Sequence, residues 1–207
     1  MSGTLASGRC VGVLLAGGAA RRFGGHPKGL ATIGGVRIAD RALDALRAST
    51  STQVVVANDP AAREWFPRER VVNDERRGLG PLAGIAAGLA AADGLSAIVL
   101  AWDMPFVPAE LLRRLRERAA AVTGVDAVVP MHGTTPEPLC AWYAPTAAAV
   151  CRALLEGGER RARTLAASLS RVEWLDESSL GGLGDLERAF TSVDTPERLA
   201  AVGGALP

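Results

Sequence analysis

Short apolar runs alternate along the chain with stretches whose apolar positions fall three and four residues apart. Arg9 to Ala16 is the first such run and predicts a strand. Ile38 to Ala48 predicts a helix, with Leu43 and Leu46 on one face and Arg41, Asp44 and Arg47 on the others. The β-branched run Gln53 to Ala57 predicts the second strand, and Arg70 to Val72 a short third one. Pro81 to Ala92 predicts a helix whose proline fits the first turn. Ala97 to Ala101 predicts a buried strand, Pro108 to Val122 a strongly charged helix, and Ala127 to Met131 a further strand. Leu139 to Tyr143 predicts a strand near the middle or the edge of the sheet. Helices are predicted over Thr146 to Glu156 and Arg161 to Ser168. Short strands are predicted at Val172 to Leu175 and Phe190 to Val193, and a last helix from about Pro196.

This alternation predicts an α/β fold with a mostly parallel sheet. The first four runs are almost continuously apolar, as expected of strands covered on both faces. No linker-like composition and no repeat divides the chain. One domain over residues 1–207 is expected, with 1–8 as a mobile lead. Ligands in open α/β sheets bind at the carboxyl ends of the strands. The polar clusters all follow predicted strands: the loop Leu15 to Leu30, then Asn58 and Asp59, then Asn73 and Asp74 with Gly78 to Gly84, then Trp102 to Pro105. They are therefore expected on one rim.

Composition narrows the function classes. The 207 residues are 48% hydrophobic, 22% charged and only 4% aromatic, so the core is built from Ala, Val and Leu. A net charge of +1, from 23 basic and 22 acidic residues, gives no footprint for nucleic acid. The three cysteines, Cys10, Cys140 and Cys151, form no close pair, which fits a reducing cytosol better than a disulfide framework or a zinc site. The longest uncharged run, Gly78 to Ala92, is Ala/Gly-rich and interrupted by Pro81, so no membrane span is expected. Arg21 and Arg22 follow Leu15 closely, and no secretory signal is expected.

The stretch Leu15 to Leu30 carries the strongest chemical signal. Glycines allow the backbone to approach a phosphate closely, and successive amides form an anion-binding concavity. Arg21, Arg22 and Lys28 add fixed positive charge. The spacing matches neither a P-loop, since Gly29 and Leu30 follow Lys28, nor a dinucleotide fingerprint. A plain tight turn competes with a phosphate cradle, and the cations favour the cradle. Lys28, between Pro27 and Gly29, is assigned to phosphate rather than to solvent. Asp103, directly after Ile98 to Ala101, suits a Mg²⁺ ligand and equally a turn cap before Pro105. Asp74 reads as part of a solvated charged loop. Gly80, Gly84 and Gly88 are four apart, which favours close helix packing. Asp194 before Pro196 reads as a helix cap, with metal contact open to it as well. His26 and His132 have no partner at ligand or triad spacing, and no Gly-x-Ser-x-Gly or His-Glu-x-x-His occurs.

The loop Leu15-Ala-Gly-Gly…Arg22-Phe-Gly-Gly…Lys28-Gly-Leu30 resembles the signature of NTP-dependent nucleotidyltransferases, and among them most resembles the molybdenum cofactor guanylyltransferase (MobA) family. Gly80-Pro-Leu-Ala-Gly84, Asp103-Met-Pro105 and Phe190 to Glu197 match further motifs in order. The resemblance implies a Rossmann-like three-layer fold and a cytoplasmic, Mg²⁺-dependent transfer of GMP from GTP to molybdopterin, with a transient cofactor-delivering protein as a further partner. It implies that Leu15, Ala16, Gly17, Gly18 and Gly80 meet the nucleotide and that Asn58 and Asp74 line the guanosine side. Lys28 and Arg22 would act on the phosphates, and Asp103 and Asp194 would hold the metal. Three positions depart from the family pattern. Pro27 stands where the family often has Asp, as in related cytidylyl and sugar-nucleotide enzymes, and Ser192 and Asp194 stand where it often has Asn. A cytidylyl- or sugar-1-phosphate nucleotidyltransferase, or a non-catalytic nucleotide-binding regulator, are the alternatives.

Overall fold

The computed structural model describes residues 9–17, 26–74 and 78–206. Strand β1 (Cys10–Leu15) is buried along its whole length. Its alternation sends Cys10 and Leu14 into one hydrophobic cluster and Val11, Val13 and Leu15 into another on the opposite face. A strand without a polar position has to be covered on both sides.

A single 3₁₀ turn over Lys28–Leu30 follows the glycine-rich stretch. Strands β2 (Thr32–Ile33) and β3 (Val36–Arg37) then form a hairpin. Its two-residue turn, Gly34-Gly35, has φ of +58° and +77°, a geometry that glycine adopts without strain. Helix α1 (Ile38–Arg47), β4 (Thr52–Val56), the single-turn α2 (Ala62–Trp65), β5 (Arg70–Val72), α3 (Pro81–Ala91), β6 (Ser96–Ala101) and α4 (Ala109–Ala121) come next. The chain continues through β7 (Ala127–His132), β8 (Thr135–Pro136), β9 (Cys140–Tyr143), α5 (Ala147–Glu156), α6 (Ala162–Ser168) and β10 (Val172–Leu175). It ends with α7 (Leu186–Ala189), α8 (Pro196–Ala201) and β11 (Gly204–Ala205).

The main sheet runs in the order β10-β7-β9-β6-β1-β4-β5, with β8 paired to β7. Every neighbouring pair along that path is parallel except those made by β9, which is antiparallel to β6 and β7. Leu43 and Leu46 of α1 and Leu111 and Leu115 of α4 share one core with Leu14, Ile98 and Leu100. Leu82 and Ile85 of α3, Cys151 of α5 and Leu165 of α6 share the other with Val13 and Val99. The result is the expected three-layer α/β architecture. A small antiparallel sheet, β11-β2-β3, lies apart from it. Among the described residues, no helix is long and apolar enough to cross a membrane.

Two expectations need correcting. Phe190 to Val193 is not a strand: α7 precedes it, capped by Asp185, whose carboxylate accepts the Arg188 amide at 2.9 Å. The Phe190 amide closes that helix on Leu186 O, and the Val193 amide bonds to Asp103 O at 2.8 Å rather than to a ladder. The small sheet was also absent from the sequence reading. Its strands are two residues each, too short for periodicity to register.

Candidate functional site

Because β1, β4, β5 and β6 are parallel, their carboxyl ends share one edge of the sheet. Leu15, Ala16, Gly17, Asn58, Asp74 and Asp103 all leave the sheet there. Leu15 and Ala16 are buried and Gly17 is exposed, and the Ala16 amide donates to Val56 O at 2.9 Å. The antiparallel β9 enters the sheet from the same rim. Its lead-in residue Leu139 accepts the Ala101 amide at 2.9 Å, which places Glu137 and Pro138 beside the end of β6.

Lys28 and Asp103 form an ion pair at the centre of this rim, through Nζ and Oδ2. Their side chains are only 17% and 12% exposed. The sequence brings them together by close packing. Pro27 is held extended, and the Leu30 amide turns back to Pro27 O at 3.0 Å. Gly29 lies flat against the indole of Trp102, where an added Cβ would be 2.1 Å from a ring carbon. No other residue permits that approach, which seats Lys28 next to the residue that follows Trp102. Asp103 is braced again from the C-terminal segment: Ser192 Oγ donates to Oδ2 at 2.9 Å, and the Val193 amide donates to the Asp103 carbonyl. The carboxylate therefore acts as a junction and not as a turn cap.

Asp74 is also buried, at 7% exposure, contrary to the solvated loop read from its charged neighbours. Its amide donates to Asn58 Oδ1 at 2.9 Å, joining the ends of β4 and β5. Both residues lie at one side of the rim, and Asp74 heads a cleft of about 520 Å³ between β5 and the alanine-rich side of α3. Gly80, with φ of +77°, precedes Pro81 and packs on the Arg160 carbonyl, which also accepts the Leu82 amide at 3.2 Å. Gly88 packs on Val13 and Gly84 on Leu15, as the four-residue spacing predicted for helix packing. Asp194 is not the helix cap. Thr195 caps α8, while Asp194 Oδ1 accepts from Arg198 Nη1 at 2.9 Å. Gly18, Arg21 and Arg22 lie outside the described residues, as do residues 1–8.

The donor set suits a hard cation. Among the described residues nothing donates to Asp103 Oδ1, while Oδ2 is fixed by Lys28 and Ser192. No group of three or more His, Cys, Asp or Glu side chains converges on a metal-sized point among those residues. A single carboxylate is a protein ligand set that Mg²⁺ accepts in nucleotide sites, where phosphate oxygens and waters complete its shell. Burial pushes the thiols of Cys10, Cys140 and Cys151 up, that of Cys151 to about 12, so none is a nucleophile.

Two rim residues carried no site role in the sequence reading. Ser192 registered there only as a departure from a family pattern. Glu137 carries no role there, although a carboxylate followed by proline ahead of a strand is a rim position in its own right.

A family model for the MobA-like NTP transferase domain matches residues 12–172. The chain is 34% identical over 194 residues to a probable molybdenum cofactor guanylyltransferase of Pelotomaculum thermopropionicum, covering 92% of this chain and 90% of the relative. It is 36% identical over 199 residues to a probable molybdenum cofactor guanylyltransferase of Natronomonas pharaonis, covering 93% and 96%. Among solved structures, the molybdopterin-guanine dinucleotide biosynthesis protein A of Archaeoglobus fulgidus superposes with a TM-score of 0.78 at 29% identity, covering 93% and 96% of the two chains. The strand-end rim, its paired lysine and aspartate and these relatives agree: the chain belongs to the MobA-like NTP transferase family.

Proposed function

We propose that the chain transfers GMP from GTP to the terminal phosphate of molybdopterin, releasing pyrophosphate and forming the guanine dinucleotide form of the cofactor. The observation that carries this reading is the Lys28–Asp103–Ser192 junction at the strand-end rim, in a chain whose relatives are named guanylyltransferases. A phosphate oxygen of the acceptor attacks the α-phosphorus of GTP in line. The bond from that phosphorus to the β-phosphate bridging oxygen breaks, and its electron pair leaves with pyrophosphate. No protein nucleophile is required, so the protein contributes positioning and charge.

In this reading Asp103 would hold Mg²⁺, which would supply Lewis-acid stabilisation of the charge that develops on the triphosphate. Asp194, two residues beyond Ser192, would supply a second metal contact from the C-terminal segment. Lys28 turns its ammonium to the phosphates, assisted by Arg22. Leu15, Ala16, Gly17, Gly18 and Gly80 supply backbone around the nucleotide, and Asn58 and Asp74 bind the guanosine. The reaction is assigned to the cytoplasm, with a delivering protein handing over molybdopterin.

The test is magnesium-dependent pyrophosphate release from GTP, CTP and ATP, each with molybdopterin supplied. Release from GTP at least tenfold faster than from CTP is the expected result. Equal or faster release from CTP, or none from GTP, overturns guanylyl transfer.

A further inference from the structure

Across the rim from Asp74, on the other side of Asp103, lies a second half-buried carboxylate, Glu137. Strand order fixes this arrangement: Asp74 follows β5 at one end of the path, Asp103 follows β6, and Glu137 leads into β9, the next strand beyond β6. The turn that carries Glu137 is rigid. Its amide donates to Pro130 O at 3.0 Å, its carbonyl accepts the Cys140 amide at 2.9 Å, and the Pro138 carbonyl accepts the buried Tyr143 hydroxyl at 2.8 Å.

The Glu137 carboxylate nevertheless receives no hydrogen bond from any described residue. Burial pushes it above its ordinary range, and His132 pulls it back. On that turn the carboxylate is partly desolvated and open to a ligand that brings its own donors. Beside it, His132 at the end of β7 lies with its ring 5.7 Å from that of Phe190, tilted by 33°. The hairpin of β7 and β8 that carries His132 is itself tied down, since the Gly133 amide donates to Glu177 Oε1 at 3.2 Å. A carboxylate on a rigid turn thus stands near the half-buried ring of His132, one strand away from the reacting centre.

We propose that Glu137 reads the heterocycle of the acceptor: its two oxygens accept the paired N3–H and 2-amino hydrogens of a pterin lying against His132. This rests on molybdopterin being the acceptor. The chemistry of the product gives the assignment its logic. Guanine and pterin present the same edge, two parallel N–H donors on a cyclic guanidine unit, and a carboxylate is the side chain that accepts both at once. One dinucleotide with such an edge at each end matches a rim with one carboxylate on each side of its phosphate centre.

The test uses pterin and lumazine as fluorescent probes. Lumazine differs in carrying a carbonyl where pterin carries the 2-amino group, so it turns an acceptor toward Glu137. Titration of the wild-type protein is expected to give pterin at least tenfold tighter binding than lumazine. Glu137→Gln and Glu137→Ala are expected to abolish that preference with unchanged thermal midpoints, while Asp74→Asn keeps it. In turnover, Glu137→Gln is expected to raise KM for molybdopterin by roughly 10- to 100-fold, as for loss of hydrogen bonds to a charged group, and to leave KM for GTP within twofold. A wild type without the pterin preference, or a Glu137→Gln variant that retains it, overturns the proposal. The titration needs no turnover, so a wild type that prefers pterin but transfers no GMP counts against the reaction and not against this subsite.

Discussion

At the residue scale, the site depends on one carboxylate oxygen shared by two donors. Asp103 Oδ2 receives Lys28 and Ser192, so two segments far apart in the chain converge on one atom. Removing a preorganised electrostatic contact of this kind typically lowers turnover by about 10²–10³. Lys28→Ala and Asp103→Ala are each expected to show that loss in pyrophosphate release, with circular dichroism unchanged; a near-wild-type rate in either would remove it from the machinery. Ser192→Ala withdraws one hydrogen bond to a charged group, a contact worth about 1.5–3 kcal/mol. It is expected to lower turnover by roughly tenfold, and Ser192→Thr, which restores the hydroxyl, is expected to recover most of it. Lys28 and Asp103 were readable because each has a local signature: a cation inside a glycine-rich loop, and an acid directly after an apolar strand. Ser192 has none. Its partner is 89 residues away in the chain, and a serine in an irregular segment looks the same whether or not it meets an aspartate.

At the element scale, packing explains which segments were readable. Helix α3 has only Ala, Gly, Leu and Ile after its proline, and it settles closely on β1 because Gly88 lets Val13 reach the helix backbone. An added Cβ there would be 2.4 Å from a Val13 methyl. Overpacking a core contact costs about 1–3 kcal/mol. Gly88→Ala is expected to lower the unfolding free energy measured by urea titration by an amount in that range without changing KM for GTP. A variant of unchanged stability would mean that α3 can move away freely. The long elements followed from apolar periodicity to within a residue or two. The misread segment, Phe190 to Val193, shows the limit: two apolar residues around a polar pair are read as a strand, yet the Val193 amide has its acceptor in the Asp103 carbonyl. Strand direction was equally out of reach. The sequence marks β9 as a strand, but its antiparallel entry between β7 and β6 depends on where the β7–β8 hairpin turns back.

At the scale of the whole molecule, the site is assembled from distant ends of the chain. A small cluster of Ala31, Ile33, Ile38, Val193 and Leu199 joins the Lys28 turn, the base of α1 and the C-terminal segment. The same cluster underlies the β11-β2-β3 sheet. Leu199→Ala should therefore act in two ways. Truncating a buried leucine costs about 2–5 kcal/mol, which is expected as a lower thermal midpoint. Because Val193 and the Lys28 turn rest on the same cluster, turnover is expected to fall several-fold even well below that midpoint. Lost stability with unchanged turnover at low temperature would show that the C-terminal segment only stabilises the fold.

Apolar periodicity alone determined the α/β class, the mostly parallel sheet and the common rim, because all three follow from which residues must leave water and from the handed, parallel connection of strands through helices. It also placed Lys28 and Asp103 on that rim, because their positions relative to strand ends are local. Tertiary structure decided what each polar group meets. It put Lys28 on Asp103, made Ser192 rather than a neighbour in sequence the brace, gave the α8 cap to Thr195, buried Asp74, and left the Glu137 carboxylate without a donor among the described residues. Those outcomes depend on contacts between segments far apart in the chain, where hydrogen-bond geometry over a few ångströms selects the partner and residue order carries no trace of the choice.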